Sequence, residues 1–142
     1  MSSDIKDFLD QTKVDIQALG SGNTFLRVLI VPAVDIELLM QNPRWPTALM
    51  WDGGGTLDPH NHKIWTRILN VTVVTAHPGD TWGEESARQL LDLGETLTAG
   101  LEQNTTDSVF LAADQDDEIE TTLMGMLIVN KVYRFEYQLE RT

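Results

Sequence analysis

The side chains best suited by type and spacing to do chemistry lie in Asp58-Pro59-His60-Asn61-His62. In an extended segment alternate residues project to one side, so His60 and His62, with Asp58 nearby, would offer two imidazoles and a carboxylate to a metal ion. Zinc needs four ligands, and no further ligand follows at a diagnostic spacing. The letters His-Asn-His in three consecutive positions are not the nuclease motif either, whose residues are dispersed through a ββα unit. A solvated loop without metal is the expectation. The rival reading is a small metal-dependent enzyme built on Asp58, His60 and His62.

Just before it, Asp52-Gly53-Gly54-Gly55-Thr56 has the glycine content of a phosphate-cradling loop, but no Lys-Ser/Thr pair follows and the chain runs from strand to strand rather than into a helix. It reads as a flexible hairpin hinge. Nucleophilic catalysis finds no support. There are no cysteines, the Gly-x-Ser-x-Gly elbow is absent, and Gly20-Ser21-Gly22 is a turn. Asp114, Asp116, Asp117 and Glu118 supply carboxylates in one run, where alternation and solvation leave no pair with a raised pKa. These residues predict no catalytic, cofactor or metal site.

The elements that must position these groups come from 142 residues, enough for one domain with a core of its own. Hydrophobic residues make up 42% and charged residues 23%, ordinary globular usage. Ten Lys+Arg against 22 Asp+Glu leave a net charge of −12, which disfavours gripping DNA, because such affinity comes from cations that displace phosphate counterions. The start of the chain lacks the pattern of a signal peptide, and no stretch approaches the ~20 apolar residues that span a bilayer. A cytoplasmic protein or part of a soluble assembly is expected.

Ser3 to Leu19 reads as an amphipathic helix with Ile5, Phe8, Leu9, Ile16 and Leu19 on one face, ended by Gly20. Phe25 to Val31 is a buried strand closed by Pro32, residues 34–40 allow a short helix, and Thr47 to Trp51 is a short strand. Lys63 to Ala76 is a long strand with both faces partly covered. Thr81 and Glu84 form a capping box for a second main helix, whose buried stripe is Ala87, Leu90, Leu91, Gly94, Leu97 and Leu101. Ser108 to Ala113 is a strand that leads into the acidic run. From Leu127 the last strand alternates, with Val129, Tyr133, Phe135, Tyr137 and Leu139 facing the core. The predicted fold is α/β (α+β), one domain over 1–142. A mixed or antiparallel sheet of about five strands carries two helices on one face, in the order α-β-β-β-α-β-β.

Trp65 and Trp82 are assigned to the core. Trp45, between Pro43 and Pro46, and the pair Met124 and Met126 suit contacts outside the fold, since interfaces favour Trp and Met.

The order of these elements resembles tail terminator (tail completion) proteins of long-tailed bacteriophages. The likeness runs over nearly the whole chain. It rests on the helix Asp4 to Leu19, the strand Phe25 to Val31, Pro46-Thr47-Ala48-Leu49-Met50-Trp51 after a proline-rich approach, the glycine loop and the strand Lys63 to Ala76. The turn into the helix from Asp80 and the aromatic strand Tyr133-Arg134-Phe135-Glu136-Tyr137 complete it. The resemblance implies a structural virion subunit, made in the host cytoplasm, that closes into a ring, a hexamer in such proteins. That ring caps the tail tube, ends its growth and joins it to the head connector. Its partners would be other copies of itself, the tail tube protein and the connector protein, with the genome passing through but not specifically bound, and no membrane. Assembly contacts would fall on Trp45, Asp52, Gly53, Gly54, Gly55, Met124 and Met126. The acidic residues Asp114, Asp116, Asp117 and Glu118 would face the lumen. A third reading is an acidic module that captures a basic partner.

Overall fold

Asp4–Ala18 forms helix α1, whose apolar stripe runs through Phe8, Leu9 and the fully buried Ile16. Thr12 sits on that stripe, and its hydroxyl donates to the Phe8 carbonyl at 2.7 Å, so the buried oxygen stays satisfied. A 3-10 turn, Leu19–Gly22, reverses the chain with Gly20 at φ +59°. The computed structural model describes residues 4–61, 63–103, 108–115, 119–124 and 126–140.

Strand β1, Arg27–Ile30, is followed by helix α2, Ile36–Gln41, capped by the Asp35 carboxylate, which accepts from the Leu38 amide at 3.2 Å. Then come β2, Thr47–Leu57, β3, Ile64–Ala76, helix α3, Glu84–Gln103, and the strands β4, Ser108–Gln115, β5, Glu120–Leu123, and β6, Leu127–Glu140. The sheet order is β1-β2-β3-β6-β4, with β5 also paired to β6. Because β3 takes one edge of β6, β4 and β5 share the other: β4 pairs with residues 133–139 and β5 with residues 127–130. All pairings are antiparallel except β1 with β2. A parallel pair needs a crossover, and the segment carrying α2 supplies it. The fold is α+β with one mixed sheet of six strands.

Side-chain alternation divides the core in two. On one face α1 and α3 cover Ala48, Met50, Leu69, Val71, Val73, Val129, Tyr133, Phe135 and Tyr137. On the other, α2 closes a smaller cluster of Leu39, Leu49, Val74, Ala76 and Ile128. The rest of that second face, with Ile68, Arg134, Glu136 and Gln138, is partly or largely open to solvent.

Several sequence expectations change. The short helix allowed at residues 34–40 forms at Ile36–Gln41, but it adds a third helix on the opposite face from α1 and α3, and β5 is a strand the sequence reading did not separate from the acidic run. The glycine run is no hinge. It continues β2, paired to β3 as Gly55 with Arg67, Thr56 with Thr66 and Leu57 with Trp65, across a bulge between Asp52 and Gly55. Trp82 is 91% exposed rather than core, in a turn before α3, and Trp65 is half-buried. The stripe of α3 uses Ser86 and Leu93, while Leu91 is exposed. Thr81 does not cap α3: the Asp80 carboxylate accepts from the Ser86 amide at 3.0 Å, and the helix begins only at Glu84. Ser3 lies outside the described residues. No helix among the described residues is long and apolar enough to cross a membrane.

Candidate functional site

Beyond Met50, β2 outruns the four-residue β1, so its stretch from Trp51 to Leu57 is bonded to β3 alone. There β3 is itself bonded on its other side to residues 134–139 of β6, so this stretch of β2 is an open edge of the sheet. Three features fix the shape of this edge. The Arg67 guanidinium, almost fully buried, grips the Asp52 carboxylate through both Nε, at 3.2 Å to Oδ1, and Nη2. The guanidinium carbon lies 5.0 Å from the centre of the Trp65 ring. Asp52 also accepts from the Gly54 amide at 3.3 Å, which shapes the bulge. Glycine is required here for two different reasons. Gly54 sits at φ +94°, and a methyl on Gly55 would collide with the Thr66 carbonyl. Thus Asp52, Gly53, Gly54 and Gly55 form one ordered, bulged edge.

At the tip, Asp58 is occupied by the backbone. Its Oδ1 accepts from the amides of His60 at 2.7 Å and Asn61 at 3.1 Å, while the Asp58 amide donates to the Ile64 carbonyl at 2.9 Å. His60 is exposed, and His62 lies outside the described residues. Among the described residues no three His, Asp or Glu side chains converge as a metal ion would need.

One constellation escaped the sequence reading. His77 Nδ1 lies 3.0 Å from Ser86 Oγ, with Asp80 close by, so serine, histidine and aspartate do meet. Their wiring is that of a helix start. A triad acid must orient the imidazole, whereas Asp80 bonds to the Ser86 backbone. That bond, more than any other influence, holds the Asp80 carboxyl below its ordinary range. Ser86 is fully buried, so no substrate carbonyl could reach its hydroxyl. Only the spacing of the capping aspartate before Ser86 could have signalled this group.

Trp45, Met124 and Met126, far apart in sequence, meet around the smaller core cluster, each half-buried. They form the rim of the face that α2 covers. The Asp52–Gly55 bulge is further along β2, so the expected contact residues divide into two patches.

No protein-family model matches the chain. No curated protein matches it either.

Asp114 belongs to β4, in register with Arg134 on the neighbouring strand, and is exposed; it is not in a loop. Asp116, Asp117 and Glu118 lie outside the described residues. Two tyrosines are buried behind this edge. Burial raises the pKa of both Tyr133 and Tyr137, with lesser contributions from Glu95 and Asp15 respectively. Tyr137 packs edge-on against Phe8 and Phe110, a core role rather than a catalytic one.

Proposed function

We propose that this protein is a structural subunit of a phage tail, a terminator that assembles into a ring, closes the tail tube and joins it to the head connector. The observation that carries the reading is the open edge of β2 from Trp51 to Leu57. The chain commits a buried ion pair, an indole beside the guanidinium and two obligatory glycines to holding this strand edge in one shape, while the described polar clusters serve a turn and a helix start. An ordered edge with unmet backbone groups is a surface for another chain.

The charge agrees with this role. A ring of six copies would carry six times the −12 of one chain, and acids near the lumen would keep DNA sliding rather than bound. The site in virions is the neck of the tail, with assembly in the host cytoplasm.

The test is tail assembly in vitro. Tail tube protein from the same virus, polymerising in the presence of this chain, should stop at shorter lengths and carry a ring at one end under negative stain. Tubes that grow unchanged, with no bound chain after pelleting, would overturn the reading.

A further inference from the structure

We infer that the subunit meets the tail tube through the end of the sheet where α3 starts, with Trp82 and Leu123 as anchors, and that the tube offers there an apolar surface bordered by lysine or arginine. The inference rests on the terminator role proposed above and names the contact through which that role is exercised.

Trp82, 91% exposed, is the most solvent-open large apolar side chain among the described residues, and Leu123 follows at 78%. The two belong to one place. A methyl on Gly83, next to Trp82 in the chain, would stand 2.9 Å from Leu127 Cδ2 and 3.7 Å from Val129, so the turn before α3 rests on the start of β6. Leu127 is the register partner of Leu123, and alternation puts both on the sheet face that α3 covers. Met124 and Met126, half-buried between β5 and β6, continue the apolar surface around the end of that hairpin. A single exposed leucine is ordinary, but an indole left in water beside it contributes nothing to the core, and tryptophan is among the side chains that carry most of the energy of protein contacts.

Charge selects the occupant. Residues 78–88 and 119–127 hold Asp80, Glu84, Glu85 and Glu120 against Arg88 alone, and Arg88 is shared between Glu84 at 2.6 Å and Glu85 at 3.4 Å. Asp80 stays ionised, because the Ser86 amide holds its carboxyl below the ordinary range. A second copy docked through the same surface would set these acids against one another, and DNA or an anionic membrane meets the same repulsion. A protein surface that is apolar at its centre and cationic at its border satisfies both the indole and the carboxylates. Position fits the tube rather than a neighbour in the ring. The open edge of β2 lies beside Trp65 to Asn70 of β3, whereas the Trp82 surface lies at the other end of the β3–β6 ladder, where Ala76 pairs with Ile128. Copies can therefore join through strand edges while this end of the sheet stays free for another protein.

The experiment is cosedimentation of the purified full chain with preformed tubes of tail tube protein from the same virus, read as bound fraction against chain concentration. Trp82→Ser and Leu123→Ser should each weaken binding about tenfold or more, with circular dichroism and the oligomeric state of the chain unchanged. Glu84→Lys combined with Glu85→Lys should weaken it too, and wild-type binding should fall as salt is raised. Val14→Ser, a comparable change at an exposed position of α1, should bind as wild type does. Undiminished binding by the Trp82 and Leu123 variants would overturn the inference and leave the terminator role standing. Loss of self-association in those variants would assign the surface to a second copy, and Trp82-dependent binding to phosphatidylcholine vesicles would assign it to a membrane; either result overturns the inference. A wild-type chain that binds no tube overturns the terminator role and this inference with it.

Discussion

The Tyr133 hydroxyl donates to the Leu90 carbonyl at 2.9 Å, and its ring fills the space where a side chain on Gly94 would stand. One contact therefore sets how closely α3 approaches β6. Gly94→Ala should destabilise the fold by about 1–3 kcal/mol, because the methyl would overlap the ring, despite the better helix propensity of alanine. Tyr133→Phe, which removes only the hydrogen bond, should cost about 0.5–1.5 kcal/mol. Urea unfolding of the two variants checks the order; Gly94→Ala as stable as wild type would mean that the helix moves freely over the sheet.

Alkaline pH should act through the same layer. Tyr133 and Tyr137 have folded pKa values raised by burial, so the native state holds their protons more tightly than the unfolded chain does. Their contribution is complete below the unfolded value of about 10 and is lost as pH rises through the folded values. Thermal midpoints should fall steeply above about pH 10, and Tyr137→Phe should flatten that fall. Phenolate absorbance should appear only with unfolding. Tyrosines that ionise reversibly in the folded protein at their ordinary pKa would contradict the prediction.

At the open edge of β2, Asp52→Ala should cost about 1–3 kcal/mol, since it leaves the buried Arg67 guanidinium without its carboxylate. Gly55→Val should displace residues 53–57 of β2 from β3 and leave the helical core standing, because the collision is with the Thr66 carbonyl near the start of β3. Hydrogen exchange resolves both: faster exchange centred on residues 51–57 is expected, and unchanged protection there would show that this edge does not depend on these contacts.

Replacing His60 and His62 together by Ala should change stability by no more than about 0.5 kcal/mol, as for surface substitutions in general. Tube capping should be unaffected, and elemental analysis of wild type and variant should agree. Stoichiometric metal in wild type that disappears in the variant would favour the metal-dependent alternative.

Periodicity alone placed α1, β3 and the alternating β6, because each is long and presents a continuous apolar stripe that only one geometry can bury. Net charge and the lack of cysteine were equally plain from composition. Short-range chemistry misled where a residue serves two purposes. Gly53-Gly54-Gly55 looks like a hinge until the close approach of β3 makes glycine a requirement of pairing, and Thr81 looks like a cap until Asp80 reaches Ser86. Trp82 is assigned to the core from sequence, yet it sits in the turn before α3 and is exposed. Contacts between distant segments could not be read in advance: Asp52 with Arg67, Tyr133 with Leu90, and the gathering of Trp45, Met124 and Met126 all depend on which strands become neighbours. Strand order is settled by the joint burial of both sheet faces, a property of the whole chain that no local window contains.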